Sequence, residues 1–343
     1  MRLHLKLEHE PWPGERWQQH FTATWPAYRR WYLGEGESAR PDLVTCQSVL
    51  ELYMPELLPV YRSLCRLAGD DDVASRFLTM WCPPPYLAGC SQLAWTGREP
   101  TLVRNYDFDP RYFDQRLKYT EYRRPVIGMQ DSGWGLLDGM NADGLAAALA
   151  FGGRKLHGRG FGIPLVVRYV LETCGTVAEA CAALSRVPVH MSYNVTLVDR
   201  GAHAATVFLN PDRAPEVIDR AWCTNQQHRV EWDEYSAFTH TPARQEALVA
   251  AAADPAQSPR ALIERFLKPP LYTQQYFRGF GTLYTAAYDV ARGKVAIVWP
   301  EKRLEASFDR FEPQEADVVL LRPVGRHMIK GSAPRPAASG DPG

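Results

Sequence analysis

The sequence has no excess of charge of either sign: Lys+Arg and Asp+Glu both number 39 in 343 residues. A chain without a net field lacks the global basic character of a nucleic-acid binder, and it has no acidic tail. The seven cysteines are odd in number and form no CxxC pair, so neither a disulfide framework nor a zinc ribbon is indicated. Reduced thiols in a cytoplasmic protein are the expectation. No stretch approaches the roughly 18 apolar residues of a membrane span. The first residues, Met1 to His9, alternate apolar and polar like a strand and lack the apolar run of a signal peptide. Gly160-Phe161-Gly162 and Gly279-Phe280-Gly281 complete neither phosphate-binding glycine motif. There is no internal repeat, and nothing implies a metal or a cofactor.

What the sequence does have changes in texture near residue 90. Before it, the pattern is mostly helical. Trp12, Trp17, Phe21, Trp25, Tyr28, Trp31 and Tyr32 make an aromatic helical stripe over Pro11–Tyr32, with an interruption expected at Pro26. A second helical region covers Val44–Leu67 and a third Asp71–Met80, before Cys82-Pro83-Pro84-Pro85 stops regular structure. After residue 90, strands dominate: 125–130, 134–140, 145–151, 191–198, 204–209, 216–222, 282–289 and 294–299. Helices are expected at 163–174, at 176–186 behind a Thr176/Glu179 capping box, at 242–253 and at 258–267. Strands, two helices, strands, two helices, strands is an α+β order. It fits two mainly antiparallel sheets with helices outside, an αββα sandwich. The tail 331–343, rich in Gly, Pro, Ala and Ser, reads as disordered.

The change of texture falls at Gly89-Cys90. Cys90 opens a strand, a turn follows at Gly97-Arg98-Glu99-Pro100, and Thr101–Phe108 returns carrying Arg104 and Asp107. A cysteine after glycine is by itself ordinarily a small buried residue. As a nucleophile it needs a base or a lowered pKa. His157, His190, His203, His228 and His240 are available, and no local signature singles one out. The other source of a base is the α-amine of Cys90 itself, if the Gly89–Cys90 bond is cut. Such an amine titrates near ~8, close to the optimum for general base work.

Cys90 followed by Arg104-Asn105-Tyr106-Asp107-Phe108 resembles the N-terminal-nucleophile hydrolases. The pattern is that of the choloylglycine hydrolase and penicillin V acylase group and of the acyl-CoA:6-aminopenicillanic acid acyltransferase family (peptidase family C45). The long segment before the cysteine favours the second. Gly139-Met140-Asn141 with Gly144-Leu145, Tyr193 to Asp199, Cys223-Thr224-Asn225 and Arg244 continue the resemblance in order over roughly residues 80–300. It implies a four-layer αββα fold and cleavage at Gly89-Cys90. It also implies a small chain 1–89 that stays bound to a catalytic unit 90–330. Cys90 is then nucleophile through sulfur and base through its amine, flanked by Arg104 and Asp107. Asn194 donates to the oxyanion together with the backbone N–H of Phe151, and Arg244 completes the set. Where the family reads Thr-Asn-His, this chain reads Thr224-Asn225-Gln226, which withdraws His228.

The expected activity is hydrolysis of a linear C–N amide bond, or acyl transfer from a CoA thioester, on a small molecule. Nucleic acid and membrane are not expected partners, and self-association is left open. Two other readings stand beside this one: a non-catalytic binder on the same fold, and an uncut Cys-His hydrolase.

Overall fold

The structure is a computed structural model that describes residues 1–320. The predicted tail 331–343 and the last residues of the unit assigned to 90–330 lie outside them. Strand β1 (Arg2–His9) is followed by helices α1 (Glu15–Tyr32), α2 (Leu43–Tyr53), α3 (Leu58–Leu67) and α4 (Asp72–Leu78). Next come β2 (Gly89–Trp95), β3 (Thr101–Phe108), β4 (Arg116–Glu121), β5 (Pro125–Asp131), β6 (Gly135–Asn141) and β7 (Leu145–Phe151). Helices α5 (Ile163–Thr173) and α6 (Val177–Leu184) lead to β8 (Tyr193–Asp199), β9 (Ala204–Leu209), β10 (Glu216–Ile218) and β11 (Trp222–Cys223). Helices α7 (Asp233–Phe238), α8 (Thr241–Ala253) and α9 (Pro259–Phe266) precede β12 (Gly281–Asp289), β13 (Lys294–Trp299), β14 (Lys302–Ser307) and β15 (Gln314–Val319).

The strands make two sheets, ordered β10-β9-β8-β7-β6-β5-β4-β1-β15 and β11-β2-β3-β12-β13-β14. They face each other through β2 and β3 against β7 and β8. Helices α5 and α6 cover the large sheet, and α8 and α9 cover the small one. This is the αββα sandwich that the element order predicts. Strand alternation sorts the polar side chains between its layers. In β2, Gln92 points between the sheets, where its Nε2 donates to Ala148 O at 2.8 Å and Thr196 Oγ1 at 3.1 Å. In β3, Asn105 points the other way, and its Nδ2 donates to Phe266 O and Leu271 O beneath α9.

The helical segment departs from expectation in two places. Pro26 lies inside α1 without breaking it. Its missing N–H costs one backbone bond, while the aromatic face continues on both sides. Trp17 stacks on Phe21 at 4.8 Å, and Trp25, Tyr28 and Tyr32 all meet Phe77 of α4. The helix expected over 44–67 is two, because Pro55 forces Met54 out of helical geometry (φ −138°, ψ 50°). The strand-like alternation of Met1–His9 forms β1. β1 runs antiparallel to β15 and parallel to β4 inside the large sheet, with Leu3, Leu5 and Leu7 buried. The helices close on the β5–β6 turn, where Trp17 Nε1 donates to Gly133 O and Trp134 Nε1 donates to Leu78 O.

Candidate active site

The hairpin β2–β3 pairs Gly89 with Asp107, Cys90 with Tyr106 and Gln92 with Arg104. Facing residues share a side, so Cys90, Gln92, Arg104 and Tyr106 look between the sheets while Ser91 and Asp107 look toward α8. Arg104 and Asp107 therefore flank Cys90 from opposite faces of one sheet.

On the inner face, Arg104 Nη2 donates to Cys90 Sγ at 3.2 Å, and both residues have no exposed surface. Burial pushes the Cys90 thiol up, and the Arg104 charge opposes that. On the outer face, Arg244 of α8 gathers four groups. Its Nη1 donates to Cys90 O (2.9 Å), Ser91 Oγ (3.1 Å) and Asp107 Oδ2 (3.0 Å), and its Nη2 donates to Asn225 Oδ1 (2.7 Å). Asp107 Oδ1 accepts from Thr282 Oγ1 at 2.6 Å. Burial still pushes the Asp107 carboxyl up to about 6, against the Arg244 charge and the Thr282 bond.

The residue at the Cys90 nitrogen is Asn225, to which the sequence reading assigns no role. Cys223 pairs with Gln92 in β11–β2, so the antiparallel register carries Asn225 opposite Cys90. Asn225 Oδ1 accepts from Cys90 N at 2.9 Å. Its Nδ2 donates to Phe151 O at 3.1 Å and to Ala88 O at 3.3 Å. The Thr224-Asn225 pair directly after a short strand was the available signal.

The two donors that the resemblance implies make the following contacts. Asn194 lies in β8. Its Nδ2 donates to Thr224 O (2.9 Å) and Gln226 O (3.0 Å), so both hydrogens hold the backbone on either side of Asn225. The Phe151 carbonyl accepts from Asn225.

The junction itself is tightly held. Tyr235 Oη donates to Ala88 O at 2.8 Å. A Cβ at Gly89 would lie 2.4 Å from the Phe280 ring, so this position has no room for a side chain. No histidine hydrogen-bonds to Cys90 among the described residues. Buried His190 binds Phe161 O through Nδ1, and burial pushes its pKa down to about 3. The described residues contain no cluster suited to a metal ion and no helix long and apolar enough to cross a membrane.

Comparison with known proteins bears on this arrangement. No curated protein matches the chain. Among solved structures, a mutant conjugated bile acid hydrolase from Clostridium perfringens is 15% identical and has a TM-score of 0.40, covering 69% of this chain and 99% of its own. Penicillin V acylase from Agrobacterium tumefaciens is 13% identical (TM-score 0.37, 65% and 78% covered). A Caenorhabditis elegans N-acylethanolamine-hydrolyzing acid amidase ortholog is 14% identical (TM-score 0.41, 65% and 96% covered). Residues 95–304 match the family model described as acyl-coenzyme A:6-aminopenicillanic acid acyl-transferase. That match spans more than half of the sequence, and the chain belongs to this family.

Proposed function

We propose that the protein is a cysteine N-terminal-nucleophile enzyme that cuts its own Gly89–Cys90 bond and then moves acyl groups from amides or thioesters to water or an amine. The observation that carries this reading is the convergence on Cys90, with Arg104 at the sulfur and Asn225 at the backbone nitrogen.

In the cut protein, that nitrogen is a free α-amine next to its own thiol. It takes the thiol proton as Sγ attacks the acyl carbon. The tetrahedral intermediate then expels the amine or thiol of the donor, which leaves with the proton. Water or an acceptor amine attacks the resulting thioester, and the Cys90 thiol is restored. The developing oxyanion needs preorganised donors. Asn225 Nδ2 supplies one: it holds the Ala88 carbonyl in the uncut chain and is freed when that segment moves away. Arg244 fixes Asn225 by its Oδ1, and Asn194 fixes the backbone on either side of it. Asp107, beside Gly89 in the ladder, is the carboxylate nearest the new ammonium along the strands.

In this reading the cleaved segment 1–89 stays with the rest, because β1 is hydrogen-bonded on both sides within the large sheet.

Intact mass spectrometry of the purified protein tests the proposal. Two fragments are expected, one ending at Gly89 and one beginning at Cys90, with an acyl adduct on the second after exposure to an electrophilic substrate analogue. An active wild type that remains one chain would overturn the reading, as would a Cys90→Ala variant that is still cut.

A further inference from the structure

Behind Cys90, between the sheets, lies a carboxylate that the scheme above does not use. Asp138 of β6 has no exposed surface and accepts from three donors of the opposite sheet: Arg104 Nη1, Tyr284 Oη at 2.5 Å, and Tyr288 Oη. The register explains how they meet. Arg104 faces Ala286 of β12, with Tyr284 and Tyr288 two residues to either side. The small alanine leaves a slot for the guanidinium, and the two tyrosines wall it.

Taking Cys90 as the nucleophile, we propose that Asp138 is a positioning residue of this active site. It holds the Arg104 guanidinium against Cys90 Sγ and balances its charge, so that the thiol keeps its proton until the α-amine takes it.

The geometry of Arg104 supports this. Nη1 is shared between Asp138 and Tyr284 Oη (3.2 Å), Nη2 is on the sulfur, Cζ lies 4.9 Å from the centre of the Tyr106 ring, and Nε has no partner among the described residues. Its orientation is thus decided at its two terminal nitrogens. A buried cation requires a counter-charge. Without Asp138, the nearest group able to become one is the Cys90 thiol. A permanent thiolate–guanidinium pair has no proton to give the α-amine, and a thiol of low pKa is the weaker nucleophile.

The other groups around Cys90 do not replace Asp138. Asp107 and Arg244 pair with each other on the outer face. Tyr106, Tyr284, Tyr288, Tyr235 and Cys223 are all pushed up by burial and stay neutral near pH 7. Asp131 of β5, which feels Arg104 without a hydrogen bond to it, is pushed up to about 7 by burial.

The test is the pH dependence of Cys90 alkylation by iodoacetamide, followed by mass on the peptide carrying Cys90. Asp138→Asn is expected to lower the alkylation midpoint by about 1 to 3 pH units, the range for a nearby opposite charge. Tyr288→Phe keeps the carboxylate and removes one of its donors, leaving more of the negative charge to offset Arg104. It is expected to raise the midpoint, and it decides the matter if Asp138→Asn does not fold. An unmoved or raised midpoint in folded Asp138→Asn makes Asp138 only a bridge between sheets and overturns the proposal. So does an unmoved or lowered midpoint in Tyr288→Phe when that variant must decide. Alkylation needs no turnover, so failure here is distinct from failure of self-cleavage, which the intact mass reads.

Discussion

Replacing Arg244 by alanine should expose the electrostatic cost hidden beneath Cys90. The experiment is set in a Cys90→Ala background, so that every variant remains the uncut chain. In that chain the Asp107 carboxyl has no exposed surface and one cationic partner, Arg244 at 3.0 Å. Even with that partner it is pushed up from 3.8 to about 6. A displacement of about two units corresponds to about 3 kcal/mol of stability present at low pH and lost above pH 6. The sign follows from proton binding: the folded state holds the proton more tightly than the unfolded one, so stability falls as pH rises from about 4 to about 6. Removing Arg244 leaves a buried carboxylate without its counter-charge, a change of about 3–5 kcal/mol. It also pushes the carboxyl above 6, so the cost of Arg244→Ala should be larger at pH 8 than at pH 5, where protonation relieves it. Urea unfolding at both pH values measures this. Asp107→Asn removes the charge, so Arg244→Ala should cost at least about 2 kcal/mol less in that background at pH 8. Costs that simply add, or a cost of Arg244→Ala that does not grow with pH, would refute the reasoning.

Two further outcomes concern the junction. Asn225→Ala should lower kcat by about 10²–10³-fold, the usual cost of one oxyanion donor, whereas Asn194→Ala, acting only through the backbone around Asn225, should cost less; steady-state kinetics on one amide substrate separates them. Gly89→Ala places a methyl group within the Phe280 ring, so the uncut fraction should rise in intact mass spectra, and Gly89→Ala with Phe280→Ala should regain cleavage.

How much of this was legible in the sequence depends on the distance over which each signal acts. Cys90, Arg104 and Asp107 lie within one hairpin, where period-two alternation sorts them onto faces. Arg244 was placed in the set by resemblance alone; its four contacts depend on how α8 packs on β2. The resemblance implies a role for Asn194 and quotes Asn225 only as part of a matching stretch. Asn194 lies inside β8 and Asn225 follows the short strand β11, and only the β11–β2 register, set by tertiary pairing, carries Asn225 opposite Cys90. The sandwich itself was readable because long apolar strands such as Leu145–Phe151 and Tyr193–Asp199 are buried on both faces. Strands β4, β14 and β15 were not. Arg116–Glu121 breaks alternation, and Lys302–Ser307 and Gln314–Val319 alternate over only six charge-rich residues each, so their pairing is decided by neighbours elsewhere in the chain. Asp138 was passed over because nothing local marks it; its donors sit on strands some 34 to 150 residues away.

The placement of β1 also sets a schedule. Its two neighbours in the large sheet are β4, made soon after it, and β15, the last strand of the described chain. During synthesis β1 keeps one edge unpaired until β15 has been made. Asn225 and Arg244 are likewise made long after the bond they surround. A nascent chain stopped before residue 225 has neither its sheet closed nor its junction gripped. The proposed self-cleavage would therefore be a late event, made only once the strands and side chains around the junction are in place.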